Sequence, residues 1–116
     1  MYKPRLIALV TAFACAAAPL AAQGLGRQLS RAGLTQADVD IMVAEGATLY
    51  RNGNATVGAD AIWQNPETDA YGMAEITEVE GDCIRIAYRF KTTRRDGLQT
   101  VEIRRCLVDG NWVLSG

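Results

Sequence analysis

Side chains that commonly carry catalysis are scarce in this 116-residue chain. It contains no histidine, which removes the usual general base for a serine or cysteine nucleophile and the commonest metal ligand. Only two of its three cysteines lie outside the apolar N-terminus, too few to complete a zinc site. No glycine-rich loop follows a strand and opens a helix, so nucleotide binding has no support. The residues therefore predict no catalytic residue, no metal and no cofactor.

Two other groups of side chains could act on a carbohydrate. Glu75, Glu78 and Glu80 cluster in one segment, and paired carboxylates can hydrolyse glycosidic bonds. The alternation of these glutamates with other residues fits a solvated strand edge better than a catalytic carboxylate pair. Trp63 and Trp112 could form an aromatic platform for a sugar, although tryptophans more often lie in a core or at its rim. We therefore expect neither group to form a site.

The N-terminus has the pattern of a secretory signal peptide. Met1–Arg5 carries two positive charges and precedes the apolar run LIALVTAFACAAAPL. A transmembrane anchor is the alternative, but the run is short for a bilayer and contains Pro19. Cleavage after Ala22 would remove a signal peptide of residues 1–22, whereas cleavage before Cys15 would leave a lipidated cysteine. We expect export to the periplasm or outer membrane of a bacterium, with membrane attachment only through the signal or a lipid anchor.

Cys83 and Cys106 are the cysteines that remain after processing. An even number of cysteines in an oxidising compartment predicts a disulfide, and the alternative is a pair of buried thiols. The bridge would close a loop of roughly 24 residues and stabilise the fold by about 3 kcal/mol in the chain-entropy model. Because a domain this small buries a modest core, that contribution matters.

Charge is unevenly distributed along a chain whose net charge is only −1. Residues 35–82 contain ten acidic side chains and one basic one, whereas residues 83–106 contain seven basic side chains. The simpler interpretation is that the two halves complement each other within one fold. The alternative is a basic face that meets an anionic envelope polymer, formed by Arg94, Arg95, Arg104 and Arg105. An exported, overall acidic protein is not expected to bind nucleic acid.

The remaining sequence predicts an α+β fold in which one N-terminal helix packs on an antiparallel meander of about five strands, stapled by the disulfide. Residues 23–33 are expected to form a flexible lead and residues 34–116 the domain. Thr35 is the expected N-cap, with Asp38 completing a capping box. An apolar stripe at helical spacing follows, formed by Val39, Met42, Val43, Gly46, Leu49 and Tyr50.

Turn signals divide the rest of the domain into strands, at Asn65-Pro66, Gly81, Asp96-Gly97 and Asp109-Gly110. Between the second and third of these, Ile84, Ile86, Tyr88 and Phe90 alternate with polar residues and predict one buried strand face. A two-residue Asp96-Gly97 loop would place Cys106 opposite Ala87, too far from Cys83 for a bridge. Only a longer loop or a bulge would bring the cysteines together, so the disulfide predicts a four- to six-residue turn around Thr93–Gly97.

The order and spacing of these motifs resemble the C-terminal domain of the 17-kDa surface antigen family of bacterial outer-membrane proteins. The matching residues are Trp63, Asn65, Pro66, Gly72, Cys83, Cys106, Asp109, Gly110 and Trp112. The chain lacks the glycine-zipper segment that many members carry ahead of this domain. The resemblance implies an envelope location, often with lipidation, and implies no particular reaction.

Together these features predict a non-catalytic exported cell-envelope protein that acts as a structural or interaction module. Its expected partner is an envelope protein or an anionic envelope polymer. The alternative is a small periplasmic inhibitor or ligand-binding module comparable to lysozyme inhibitors, which are also disulfide-stapled β proteins. The chain lacks the Ser-Gly-Ala-Arg-Tyr-like loop of those inhibitors.

Overall fold

A computed structural model describes residues 20–115 of the protein, with side chains from Leu25 onward. Two helices precede five strands: α1 (Leu20–Arg31), α2 (Gln36–Ala47), β1 (Asp60–Asn65), β2 (Ala70–Glu80), β3 (Cys83–Thr92), β4 (Arg95–Val108) and β5 (Asn111–Ser115). The strands form one antiparallel sheet in chain order. The α+β class and the five-stranded meander are therefore confirmed. Cys15 and most of the signal peptide predicted for residues 1–22 lie outside the described residues.

Helix α1 corrects the expectation that residues 23–33 form a flexible lead. Glycines in this segment suggested a loose chain, but Leu25, Leu29 and Ala32 recur at helical spacing and pack against the core. Burial of that face outweighs the low helix propensity of glycine. The helix ends in a Schellman motif at Gly33, where φ is 92° and the N–H of Leu34 donates to the carbonyl of Leu29 at 3.3 Å.

Helix α2 begins at the predicted capping box. The N–H of Asp38 donates to Thr35 Oγ1 at 3.0 Å, and the N–H of Thr35 donates to Asp38 Oδ2 at 2.9 Å. Met42 is fully buried, and the helix contacts β1, β2 and β3. The prediction that this helix covers one face of the sheet is confirmed. We call that side of the sheet the inner face and the opposite side the outer face.

The inner face is apolar because alternate residues of each strand point toward the helices. The inner face buries Ile86, Tyr88 and Phe90, as the period-two pattern of β3 predicts. It also buries Trp63 of β1. Gly72 pairs with Trp63 on one side and with Phe90 on the other. A Cβ at Gly72 would lie 2.1 Å from the carbonyl oxygen of Arg89, so only glycine fits this position.

The connection between β3 and β4 is shorter than the four- to six-residue turn predicted around Thr93–Gly97, and that prediction is wrong. A tight turn at Thr93-Arg94 joins the strands, because Thr92 pairs with Arg95. Asp96 and Gly97 lie inside β4, in a bulge between the Thr92–Arg95 and Phe90–Gln99 pairs, and Gly97 has a φ of 87°. This bulge shifts the register so that Cys83 lies directly opposite Cys106.

The last hairpin forms where it was predicted. Asp109 and Gly110 both have positive φ, at 51° and 82°, as a two-residue type I′ turn requires. β5 then returns along β4, with Trp112 opposite Leu107. The ring of Trp112 packs edge-on against Tyr50, with centroids 4.9 Å apart. This contact joins the edge strand to the segment that follows α2.

Candidate functional site

The predicted disulfide is present between Cys83 and Cys106, whose Cα atoms are 4.0 Å apart on neighbouring strands. Both sulfurs lie on the outer face, near the end of the sheet where β2 turns into β3. The bridge is therefore a staple across one strand pair. It leaves both cysteines without a free thiol for chemistry.

The Trp63–Thr68 segment, which carries the family resemblance, is anchored to α2 through a buried carboxylate. Asp38 is only 1 % exposed. Its Oδ1 accepts hydrogen bonds from Asn65 Nδ2 at 2.8 Å and from Thr68 Oγ1 at 2.6 Å. Asn65 Oδ1 accepts from the N–H of Glu67 at 3.1 Å and closes the turn around Pro66. The segment thus fixes the β1–β2 turn on the N-terminus of α2, which is a structural role.

Asp38 is not part of the apolar stripe of the helix, yet its side chain is buried with the core. Burial by itself raises the pKa of the Asp38 carboxyl. The hydrogen bonds from the Thr35 N–H, from Thr68 and from Asn65 favour the charged form more strongly, so the pKa is lowered from 3.8 overall. The carboxylate is therefore ionised at neutral pH and acts as an acceptor for buried donors.

The tryptophans do not form a sugar platform. Trp63 is 2 % exposed in β1 beneath α2, and Trp112 is half-buried in β5. These strands are the two edges of the sheet, so four strand spacings of about 4.8 Å separate them. With its ring buried, Trp63 offers no surface on which a sugar could stack.

Two of the three clustered glutamates, Glu75 and Glu78, form ion pairs with arginines on the outer face, whereas Glu80 is exposed at the end of β2. Glu75 Oε1 lies 2.8 Å from Arg89 Nη1, and Glu78 Oε1 lies 3.0 Å from Arg85 Nε. A register shift between Ile76 and Glu78 brings Glu78 opposite Arg85. Each pair is partly solvated and stabilises the fold by about 0–1 kcal/mol. These glutamates therefore do not form the isolated carboxylate pair that glycoside hydrolysis needs.

The four arginines predicted to share one basic face are divided between the two ends of β4. Arg94 and Arg95 lie at the β3–β4 turn, roughly 25 Å along the strand from Arg104 and Arg105. Arg104 pairs with Arg85 on the outer face and donates to Ser115 Oγ at 2.8 Å. Arg105 pairs with Ile84 on the inner face. The structure therefore does not bring these four side chains together.

One of those four arginines instead joins two arginines of α1. A groove of about 440 Å³ between α1 and β4 is lined by Arg27, Arg31 and Arg95, with a floor of Ala32, Phe90 and Val101. We call it the arginine groove. All three arginines are exposed, and none has a carboxylate within ion-pair distance among residues 20–115. The groove is thus a candidate site for an anion.

The C-terminus of α1 is fixed in place by side chains of β3 and β4. Gln99 Nε2 donates to the carbonyl of Ala32 at 2.9 Å, and Thr92 Oγ1 donates to the same oxygen at 3.4 Å. A Cβ at Gly33 would lie 3.2 Å from Arg94 Cβ, so the helix end and the β3–β4 turn are in close contact. These contacts set the position of Arg31 relative to Arg95.

Arg27 and Arg31 were not among the residues predicted to form a site, because their segment was expected to be loose. The signal that could have found them is the spacing of Leu25, Leu29 and Ala32, which predicts an amphipathic helix. On that helix Arg27 and Arg31 are four residues apart and therefore share a face.

A second group of polar atoms lies on the inner face of the sheet, near β5. Burial raises the pKa of the Tyr88 phenol, the neighbouring Tyr50 raises it further, and the Arg105 guanidinium opposes the rise. Neither the Tyr88 hydroxyl nor Arg105 Nε has a hydrogen-bond partner within the described part of the chain. These atoms are therefore unsatisfied polar groups in the core of the described structure.

From Leu20 to Ser115, no group of three or more acidic or cysteine side chains is placed to hold a metal ion. Neither of the two helices described is long and apolar enough to cross a bilayer.

Comparison with known proteins gives no relative for this chain. No family model, no curated protein and no solved structure matches it. The resemblance to the surface antigen family therefore stays a prediction that depends on the motifs alone.

Proposed function

We propose that this chain is an exported, non-catalytic module of the bacterial cell envelope, which acts by binding a partner. The observation that carries the proposal is the Cys83–Cys106 disulfide. Structural disulfides persist in oxidising compartments and are rare in the cytosol. The signal-like N-terminus points to the same compartment.

The residues also favour binding over catalysis. The chain has no histidine, its two tryptophans are built into the core and rim, and Glu75 and Glu78 are held by arginines. The arginine groove, by contrast, presents three guanidinium groups to solvent without carboxylate partners in the described structure. A surface of this kind suits recognition of an anion by a rigid scaffold.

The proposal is tested by expressing the full chain in a Gram-negative bacterium and measuring the mass of the processed protein in each fraction. We expect an envelope protein that begins at Gln23 or carries lipid on Cys15, with both remaining cysteines resistant to alkylation until they are reduced. A Cys15→Ser variant separates the two routes, because it abolishes only lipidation. A chain that keeps Met1, stays in the cytosol and has free thiols would refute the proposal.

The contribution of the disulfide is measured on the purified protein. A Cys83→Ser/Cys106→Ser variant should lose about 3 kcal/mol of unfolding free energy, because the bridge closes a loop with a sequence separation of 23 residues. Urea denaturation of the oxidised, reduced and serine forms gives this number. If the reduced and oxidised proteins unfold at the same urea concentration, the bridge has no stabilising role and its support for export is lost.

A further inference from the structure

We propose that the arginine groove binds phosphate ester groups of an anionic envelope component, either a lipid headgroup or a soluble polymer. The inference depends on the proposed function only for the cellular source of the ligand. The chemistry follows from the groove itself, in which two elements distant in sequence bring Arg27, Arg31 and Arg95 together.

The groove places like charges near one another. Arg27 and Arg31 are four residues apart on α1, a spacing at which like charges repel by a few tenths of a kcal/mol. Arg95 adds a third positive charge from β4, and no carboxylate lines the groove among the described residues. An anion that sits between these side chains removes the repulsion and gains their attraction. The groove therefore favours a ligand with more than one negative oxygen.

Phosphate fits this arrangement better than an isolated carboxylate. A guanidinium group binds two oxygens at once. A phosphodiester offers two free oxygens and one negative charge, a terminal phosphate offers three oxygens and up to two charges, and neighbouring phosphates on a surface or chain add to this. Three guanidinium groups around one groove can therefore be satisfied by a single phosphate or by successive phosphates of a chain. The apolar floor of Phe90 and Val101 excludes water from one side and strengthens these contacts.

The carbonyl end of α1 would normally disfavour an anion, because a helix C-terminus carries partial negative charge. Here the terminal carbonyl of Ala32 already accepts hydrogen bonds from Gln99 Nε2 and Thr92 Oγ1. Arg31, in the last turn, also offsets that charge. The fold thus suppresses the main electrostatic obstacle to anion binding at this end of the helix.

Binding is measured with the processed Cys15→Ser protein, so that no attached lipid contributes. The probes are phosphatidylcholine vesicles with and without phosphatidylglycerol, and inorganic polyphosphate in solution. The test variant is Arg27→Gln/Arg31→Gln. The matched control is Arg51→Gln/Arg104→Gln, which removes the same charge from residues that do not line the groove.

The wild-type and control proteins should bind the phosphate probes equally within about twofold, and the groove variant should bind at least about tenfold more weakly. Binding to phosphatidylglycerol vesicles but not polyphosphate identifies a lipid headgroup, and the converse identifies a soluble polymer; either supports the inference. Circular dichroism checks that the groove variant keeps its helix content.

Three results would overturn the inference: no binding of any phosphate probe by the wild type, unchanged binding by the groove variant, or equal loss in both double variants. The last would show attraction to overall charge and no defined site. Because purified protein is used, these results do not depend on where the chain is exported. A cytosolic chain that still binds phosphate would refute the proposed function alone.

Discussion

Asp38 offers the most direct test of how this fold is held together. Its carboxylate accepts hydrogen bonds from the Thr35 N–H at 2.9 Å, Asn65 Nδ2 at 2.8 Å and Thr68 Oγ1 at 2.6 Å. Thr35 is the N-cap of α2, Asn65 ends β1 and Thr68 lies in the β1–β2 turn. Asn65 and Thr68 are 27 and 30 residues from Asp38 in sequence. Removing the carboxylate should therefore loosen both the start of the helix and its attachment to the sheet.

The size of the effect follows from the groups left without partners. In Asp38→Ala, the buried Asn65 amide loses its acceptor at a cost of about 1–3 kcal/mol, and the lost half of the capping box costs about 1 kcal/mol. Including the loss of the Thr68 bond, we expect a decrease of about 3–5 kcal/mol in unfolding free energy. Asp38→Asn should cost about 2 kcal/mol, because its amide NH₂ would replace the oxygen that faces the Thr35 N–H.

The pH dependence gives a second measurement on the same residue. Because the folded-state pKa of Asp38 is lowered from 3.8, its ionisation stabilises the protein fully above that value, and the stabilisation is lost as pH falls through the lowered pKa. The stability gap between wild type and Asp38→Asn should therefore be largest near pH 7 and shrink as the pH falls below 3.8. Urea unfolding at several pH values measures this gap.

Asp40→Asn is the matched control, because Asp40 lies on the same helix but is exposed and accepts a hydrogen bond only from Gln36 Nε2. It should change stability by less than about 0.5 kcal/mol. The reasoning would be refuted if Asp38→Asn were as stable as the control at pH 7, or if its gap to wild type did not depend on pH.

Three further substitutions follow, two at core positions and one at an exposed glycine of α1. Gly72→Ala should destabilise the protein by about 3 kcal/mol, because its Cβ would meet the Arg89 carbonyl at 2.1 Å. Gly26→Ala should stabilise it by about 0.5–1 kcal/mol, because Gly26 is exposed on α1 with nothing within 4 Å of the added Cβ. Equal effects of the two substitutions in thermal unfolding would contradict the predicted packing. Tyr88→Phe removes a buried hydroxyl that has no hydrogen-bond partner in the described structure, so urea unfolding should show no loss of stability, and a loss above about 1 kcal/mol would reveal a bond to the hydroxyl.

Features that depend on neighbouring residues could be predicted from the sequence. The capping box of Thr35 and Asp38 needs only a spacing of three, and the Asp109-Gly110 turn needs only two residues that tolerate positive φ. The alternation from Ile84 to Phe90 likewise identifies one strand face without knowledge of its partners. These local rules were sufficient for the fold class and the order of the sheet.

The β3–β4 connection could not be predicted by such local rules. A glycine with positive φ serves a hairpin turn and a bulge equally well, so Asp96-Gly97 alone cannot distinguish them. The pairing of Cys83 with Cys106 decides the register, and it was this long-range constraint that indicated a bulge or a longer loop. The burial of Asp38 could not be predicted for the same reason, because its partners Asn65 and Thr68 lie 27 and 30 residues further along the chain.

The arginines fall into two groups, one paired with carboxylates on the outer face and one in the arginine groove. Acidic residues of the first half do neutralise basic residues of the second, since Glu75 and Glu78 hold Arg89 and Arg85 on the outer face. These ion pairs involve arginines in the middle of β3 and do not include the arginines at the β3–β4 turn. There, Arg95 meets Arg27 and Arg31 of α1, which belong to neither charged segment. The groove therefore arises from the fold and not from the charge pattern along the sequence. Substitutions that break the outer-face ion pairs should leave the phosphate binding proposed for the groove unchanged.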